Sequence, residues 1–465
     1  MSINVLPDDV LLEIFDFYVL KDYYDKESIE EWQSLVHVCR RWRRAVFGSP
    51  RRLDLQLFCA TKALARTRVR DMLDLWPALP LLIEGSTNPE ELDNIIAILE
   101  RSDRVSHINI HFSGLHLEGV WSAMQKPFPE LTRVSLYSSK AATAVPDSIL
   151  GGSAPRLRLL RLDGITFPGL PKLLLSTTRL IFLYLTNIPY PEPFSLDAIV
   201  PVLSSLFHLD TLFLEFQSPR SRPSRGPPPL TRSVLPSVRS LKFKGVSDYL
   251  EQLVARIDTP RLEAFYITFF NQIVFDAPKT TQFICRTPSL GARVEARLAF
   301  RDDAADVRLS SQTPGLEQIL VKIPCKEFDW QISSLEQVCT SSLPLLSKLE
   351  DLYIFEETKS PPNWKDNIEN MLWLELLCPF TTVKNLYLSE NFALRIVPAL
   401  EELVGDRAAE VLPALQNIFL EDLQPSGPVQ EGMAKFFATR QLSGHPITVS
   451  LWERAAFRSS RAIRQ

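Results

Sequence analysis

Glycine is scarce in this chain, at 16 residues against 35 prolines in 465, a balance unlike that of a compact enzyme. The glycine-bearing catalytic and phosphate-binding signatures G-x-S-x-G, the P-loop and G-x-G-x-x-G are absent. So are H-E-x-x-H and the EF-hand pattern, which removes the familiar zinc-hydrolase and calcium-loop readings. Six cysteines never form a C-x-x-C, which fits reduced, buried thiols in a cytoplasmic or nuclear protein. No apolar run is long enough for a membrane span before a charge or proline interrupts it, and no basic region followed by a cleavable apolar core opens the chain. Positive charge is not in excess either. A formal net charge of -4 disfavours a general binder of nucleic acid or of acidic membrane surfaces. The expectation is a soluble, intracellular globular protein without cofactor, metal or catalytic residues.

The prolines recur in a pattern. "FPELTRVSLY", "APRLRLLRLD", "LPSVRSLKFK", "TPRLEAFYIT", "TPGLEQILVK" and "LPALQNIFLE" share Pro-x-[Leu/Val]-x-x-apolar-x-apolar, and "TTRLIFLYLT", "LFHLDTLFLE", "LSKLEDLYIF" and "FTTVKNLYLS" repeat it without the proline. Taking the first apolar residue as marker gives Val105, Leu131, Leu157, Leu180, Leu209, Val238, Leu262, Leu290, Leu316, Leu349, Val383 and Leu415, with Leu53 and Leu79 as degraded earlier members. Intervals of 23 to 34 residues are those of a solenoid of strand-plus-helix units.

The apolar-x-apolar tail is a short strand with one buried face. Helix-like stretches such as "NPEELDNIIAILERSD", "DYLEQLVARID" and "NIENMLWLELLCPF" lie between, and a proline before each strand is expected to end the preceding helix. The units resemble leucine-rich repeats, L-x-x-L-x-L. Their asparagine or cysteine after the strand appears only as Asn391, which predicts an irregular curve. Arg293 to Leu309 reads as an inserted hairpin, and the Pro/Arg-rich stretch 218–229 as a mobile loop.

The N-terminus is different. "LPDDVLLEIFDFYVL" places apolar residues on every side of a helix, and "IEEWQSLVHVCRRWRRAVF", opened by the capping pair Ser28 and Glu31, makes a second. Two helices cannot bury all of this between them. "LPDDVLLEIF" followed by "LVHVCRRWRRAVF" closely resembles the F-box, with its Leu-Pro opening, acidic pair, apolar helix and Val-Cys-x-x-Trp. With degenerate leucine-rich repeats behind it, the chain is similar to the expanded F-box families of mushroom-forming (basidiomycete) fungi.

That resemblance implies an α/β protein in three parts. Residues 1–48 would be an all-helical F-box, 49–452 an irregular leucine-rich-repeat solenoid with parallel strands on its concave face and helices on its convex face, and 453–465 a basic tail. It implies that Leu6, Pro7, Val10, Ile14, Phe15, Leu35, Val36, Val38, Cys39 and Trp42, at adaptor-facing or interhelical positions, form the adaptor-binding set that joins the chain to the adaptor protein of an SCF-type ubiquitin ligase, and through it to a cullin. The chain would be a non-catalytic substrate receptor for an unidentified protein target. The alternative is a non-proteolytic F-box scaffold.

Other clusters have plainer readings. His107 and His111 share a strand face without a placed third ligand, so a structural role outweighs a metal. Arg40, Arg41, Arg43 and Arg44 form a solvated helix face, with no base-reading set beside them. One strand position carries a functional expectation. The residue between the last two apolar positions of each strand points away from the core, and along the chain it changes from polar to mostly aromatic. Tyr184, Phe213, Tyr266, Tyr353, Tyr387 and Phe419 are therefore candidate target-binding residues.

Overall fold

The computed structural model describes residues 6–18, 32–49, 53, 55–60, 69, 73, 79–113, 117–138, 143–189, 194–219, 231–270, 275, 277–290, 295–310, 317–342, 346, 348–357, 369–403, 410–421, 428–442 and 444–452. The residues of the 218–229 stretch from 220 on, the Ser28/Glu31 capping pair and the 453–465 tail lie outside them. The chain divides into two compact units, Met1–Leu209 and Asp210–Gln465.

The first unit opens with three helices, α1 (Asp8–Tyr18), α2 (Trp32–Val38) and α3 (Arg40–Gly48). Strands and helices then alternate: β1 (Leu57–Ala60), β2 (Leu81–Ser86), α4 (Leu92–Leu99), β3 (Val105–Phe112), α5 (Glu118–Met124) and β4 (Arg133–Ser138). After them come the short β5 (Thr143–Ala144), β6 (Leu159–Asp163), the short β7 (Ile165–Thr166), α6 (Leu170–Ser176), β8 (Phe182–Ile188) and α7 (Leu196–Ser204). β1, β2, β3, β4, β6 and β8 pair in parallel in that order, and β5 pairs with β7 beside them. Register stacks like on like. Ile83, Ile108, Val134, Leu160 and Leu183 form one row, all but fully buried under the helices.

In the second unit, β9 (Thr211–Phe216), the short β10 (Ser233–Val234), β11 (Ser240–Gly245), α8 (Ser247–Arg256), the short β12 (Ile257–Asp258), β13 (Ala264–Phe269) and α9 (Pro278–Arg286) continue the same alternation. Next come β14 (Glu295–Phe300), β15 (Ala304–Ser310), β16 (Glu317–Pro324) and α10 (Phe328–Ser342). The unit ends with β17 (Asp351–Glu356), α11 (Asn370–Leu377), β18 (Asn385–Leu388), α12 (Glu390–Glu401), β19 (Asn417–Leu420), α13 (Pro428–Leu442) and β20 (Thr448–Leu451).

Here the strand order departs from chain order, running β9, β11, β13, β16, β15, β14, β17, β18, β19, β20. The expected hairpin is present as β14 and β15, but it is one arm of a meander laid in backwards: β13 pairs with β16, while β14 pairs with β17. Only β15 is antiparallel to its neighbours, and every residue of it is buried.

The prolines have a more specific place than helix termination. In Phe128–Leu131, Ala154–Leu157, Thr259–Leu262, Thr287–Leu290 and Leu412–Leu415 the marker leucine N–H donates to the carbonyl three residues back, at 3.0 to 3.3 Å. Pro129, Pro155, Pro260, Pro288 and Pro413 are the second residue of that turn, where a φ near −65° is required and no N–H is missed. The turn drops each marker leucine into the core, with Leu131, Leu157, Leu262 and Leu290 fully buried.

Candidate functional site

The three N-terminal helices contain a small core and an apolar exterior. On α1, Leu11, Leu12 and Phe15 point inward, where Phe15 meets Trp42 at 4.8 Å between ring centroids. Leu35 and Val36 of α2 and Ala45 and Val46 of α3 complete that core. Trp32 is buried against Phe47, and its indole N–H donates to the Gln56 carbonyl at 3.0 Å, tying α2 to the chain just before β1. Cys39 is extended and caps α3, its Sγ accepting from the Trp42 backbone N–H at 3.5 Å. Arg41 binds Asp8 at 2.8 Å and the Leu6 carbonyl, while Arg43 donates to the Val36 carbonyl at 3.0 Å. Part of the arginine face is thus a set of clamps between helices rather than a solvated surface.

Outside this core, Val10, Ile14, Phe17 and Tyr18 are all exposed on α1, Phe17 at 85%, and Val38 projects from the end of α2. Spacing of four between Val10 and Ile14, and between Ile14 and Tyr18, sets them along one stripe. Asp8 and Asp9 occupy the first turn of α1, where the helix dipole favours a negative charge.

The second surface is the face of each sheet that points away from the helices. In the first unit one row across it is Glu84, Asn109, Ser135, Arg161 and Tyr184. Arg161 lies 4.5 Å over the Tyr184 ring, and His111 stacks on Tyr137 at 4.5 Å. In the second unit the corresponding row is Phe213, Lys242, Tyr266, Leu320, Arg308, Arg297, Tyr353, Tyr387, Phe419 and Ser450. Tyr353, Tyr387 and Phe419 form a near-parallel stack with centroids 4.1 and 4.4 Å apart, and Trp452 packs on both tyrosines at 5.7 Å. Leu352, Leu386 and Ile418, their neighbours in sequence, are fully buried on the opposite face.

A polar ladder that sequence inspection missed runs beside the rings. Asn385 donates to Asp351 at 2.8 Å, Asn417 to Asn385 at 2.7 Å and Thr448 to Asn417 at 2.5 Å. Its signal was present in "NLYL" and "NIFL", two strands that begin with the same amide. An ionic knot interrupts the row at the meander. Arg308 grips the Glu357 carboxylate through both Nη atoms at 2.9 and 2.7 Å and also pairs with fully buried Asp306, which Arg301 approaches at 2.9 Å. Burial alone would raise the Glu357 carboxyl, but the hydrogen bonds and charges of Arg308 and Arg301 overcome it and hold the pKa at about 2.

Residues 3–54 match the F-box-like family model. No curated protein matches the sequence. Among solved structures, the leucine-rich repeat-containing protein LegL7 from Legionella pneumophila aligns over 68% of this chain and 93% of its own, at 14% identity and a TM-score of 0.28.

Within the F-box-like segment the ten expected adaptor-binding residues divide. Val10, Ile14, Val38 and Pro7 are exposed, and Leu6 and Trp42 are half-buried. Phe15, Leu35 and Val36 take the interhelical places: each is at most 5% exposed because it fills the space between the helices. Cys39 is a helix cap. Phe17 and Tyr18 were overlooked, although they follow Ile14 at the three- and four-residue spacing that marks a shared helix face.

The aromatic row is corrected. It is interrupted by Arg308 and Arg297 of the meander, and Tyr353 is only 9% exposed, covered by Tyr387, Trp452 and Phe355. Burial raises the hydroxyl pKa of both Tyr353 and Tyr387, with the nearby Glu295 and Asp351 carboxylates adding to the shift. Tyr184, Phe213, Tyr266, Tyr387 and Phe419 remain half-exposed. His107 hydrogen-bonds Ser106 at 2.9 Å, and among the described residues no group of three or more metal-ligating side chains occurs. Nor is any described helix long and apolar enough to cross a membrane.

Proposed function

We propose that this chain is the substrate-recognition subunit of an SCF-type ubiquitin ligase. In this reading the F-box-like segment docks the adaptor, and the adaptor links it to a cullin in the cytoplasm or nucleus. The repeats, residues 49–452, hold a protein target. The observation that supports it is the exposed apolar stripe of Val10, Ile14, Phe17 and Tyr18, with Val38, on the residues that match the F-box-like family. Exposed apolar side chains at contiguous helical positions mark a contact surface awaiting a partner. The chain itself makes and breaks no bonds. Its contribution is proximity, since a target held beside a ubiquitin-charged enzyme presents its lysines at a high effective concentration.

Replacing Ile14 and Phe17 together by Asp tests the docking surface. Both side chains are exposed, so the fold is kept while two apolar contacts of about 1.5 to 3 kcal/mol each are lost. Co-purification with the adaptor falls by about a hundredfold or more, measured against a wild-type pull-down. Unchanged capture, with circular dichroism unaltered, would remove the basis of the proposal.

A further inference from the structure

Aromatic rings on the open sheet faces end against cations supplied by the chain itself. Tyr184 is covered at 4.5 Å by Arg161, Phe213 at 5.0 Å by Lys242, and Tyr353 at 5.7 Å by Arg297. In all three cases the cation belongs to the register partner of the ring on the adjacent strand. Three separate strand pairs therefore use one device, a cation laid over the electron-rich face of a ring.

The stack that begins with Arg297 continues through Tyr353 and Tyr387 to Phe419, its last ring among the described residues. Phe419 gives one face to Tyr387. The register partner on its other side is Ser450, which is exposed and far too short to cover a ring. Adjacent strands lie ~4.8 Å apart, so the space above Ser450 has the depth of one planar group.

We infer that the outer face of Phe419, floored by Ser450, is a recognition notch for an arginine side chain carried by the target protein. This inference rests on the target-receptor reading of the repeats and adds the chemistry of the group recognised. Charge selects a cation: β17, β18, β19 and β20 contain no lysine or arginine, and Glu421, just past the end of β19, follows Phe419 at the two-residue spacing that returns to the same side of an extended chain. Shape selects arginine over lysine, because a flat guanidinium stacks on a ring while an ammonium is a compact, strongly hydrated point charge. The neighbouring Asn417 carboxamide is engaged by Asn385 and Thr448, so the wall of the notch is fixed before anything enters.

The test uses the full-length chain and fluorescein-labelled nona-arginine and nona-lysine peptides, followed by anisotropy at about 150 mM salt to suppress long-range attraction. Nona-arginine binds more tightly than nona-lysine. Phe419→Leu weakens nona-arginine by about fivefold, and Phe419→Trp, which keeps a ring, retains it. Ser450→Arg supplies the missing internal cation, as Arg161 does for Tyr184, and blocks the peptide. Equal binding by wild type, Phe419→Leu and Ser450→Arg overturns the inference. It is also overturned if binding appears only after Arg454, Arg458, Arg461 and Arg464 are all changed to Ser, since the occupant is then the chain's own C-terminal segment. Adaptor capture is measured on the same variants; a negative peptide result with capture retained counts against the notch and leaves the receptor reading standing.

Discussion

The F-box-like helices and the last strands of the second unit both place large apolar side chains on the outside, and they do so in opposite ways. On α1, Phe17 and Ile14 stand in solvent, and their burial depends on another molecule. On β17 to β19 the rings bury one another: Tyr353 and Tyr387 are stacked at 4.1 Å, and Trp452 closes over both. An aromatic row on a sheet is therefore not automatically a free surface. Strand spacing of ~4.8 Å is close to the stacking distance of rings, so neighbouring strands satisfy each other. Helical spacing sets side chains farther apart on a convex surface and leaves them open. The difference directs attention to the helix for docking and, on the sheet, to the end of the stack where Phe419 faces only the short Ser450 among the described residues.

The sharpest way to break this comparison is within one helix. Phe15→Ser removes a fully buried ring that packs on Trp42 and destabilises the N-terminal helices by about 3 to 5 kcal/mol, the range for large-to-small aromatic truncation in a core. Phe17→Ser, two residues along, leaves the thermal unfolding curve nearly unmoved and lowers adaptor capture instead. If both variants unfold alike, the inside and outside of α1 have been misassigned.

A smaller contrast applies to β19. Ile418→Ala opens a cavity under the helices and costs about 2 to 4 kcal/mol in chemical denaturation. Phe419→Ala, on the next residue, loses mainly a stacking contact worth about 0.5 to 1.5 kcal/mol. Equal losses would mean that both faces of this strand are core.

A further contrast depends on pH. Glu357 has a folded pKa held at about 2, below the ordinary carboxylate value, so its contribution is present above the unfolded pKa and is lost as pH falls through the folded one. Glu357→Gln therefore lowers stability by about 1 to 3 kcal/mol at neutral pH, and the gap between variant and wild type narrows between pH 5 and 2. A gap independent of pH would show that the carboxylate charge contributes nothing to the knot.

Much of the fold was legible because it rests on short-range rules. Alternating apolar residues set the strands, Pro-x-Leu set the turns, and the intervals between marker residues set the repeat. What stayed hidden depends on pairing between distant segments. Nothing local in Glu295–Phe300 says that its neighbour will be β17 rather than β13, because the same residues could serve either edge. The split among Phe15, Ile14 and Phe17 was partly legible from helical periodicity, but an all-apolar helix hides which side its own domain takes. The burial of Tyr353 depends on Trp452, about a hundred residues away in sequence, which no periodicity links to it.

The backward meander also bears on how the protein is made. Within each unit, outside the meander, each new strand of the main row is laid beside the last one completed in that row, so a growing chain has a finished edge ready for the next addition. β14 and β13 are the exceptions: β14 gains β17 as its second neighbour only after β15, β16 and α10 have been made, and the second neighbour of β13 is β16, with two other strands and α9 to be synthesised first. At ~5–20 residues per second, that edge waits on the order of 3 to 10 seconds while the chain leaves the ribosome. During that interval the backbone groups of Phe265 to Thr268 form an open template to which any passing strand can pair. The β13 edge, with that of β14, is thus where a chaperone has the most to protect during synthesis.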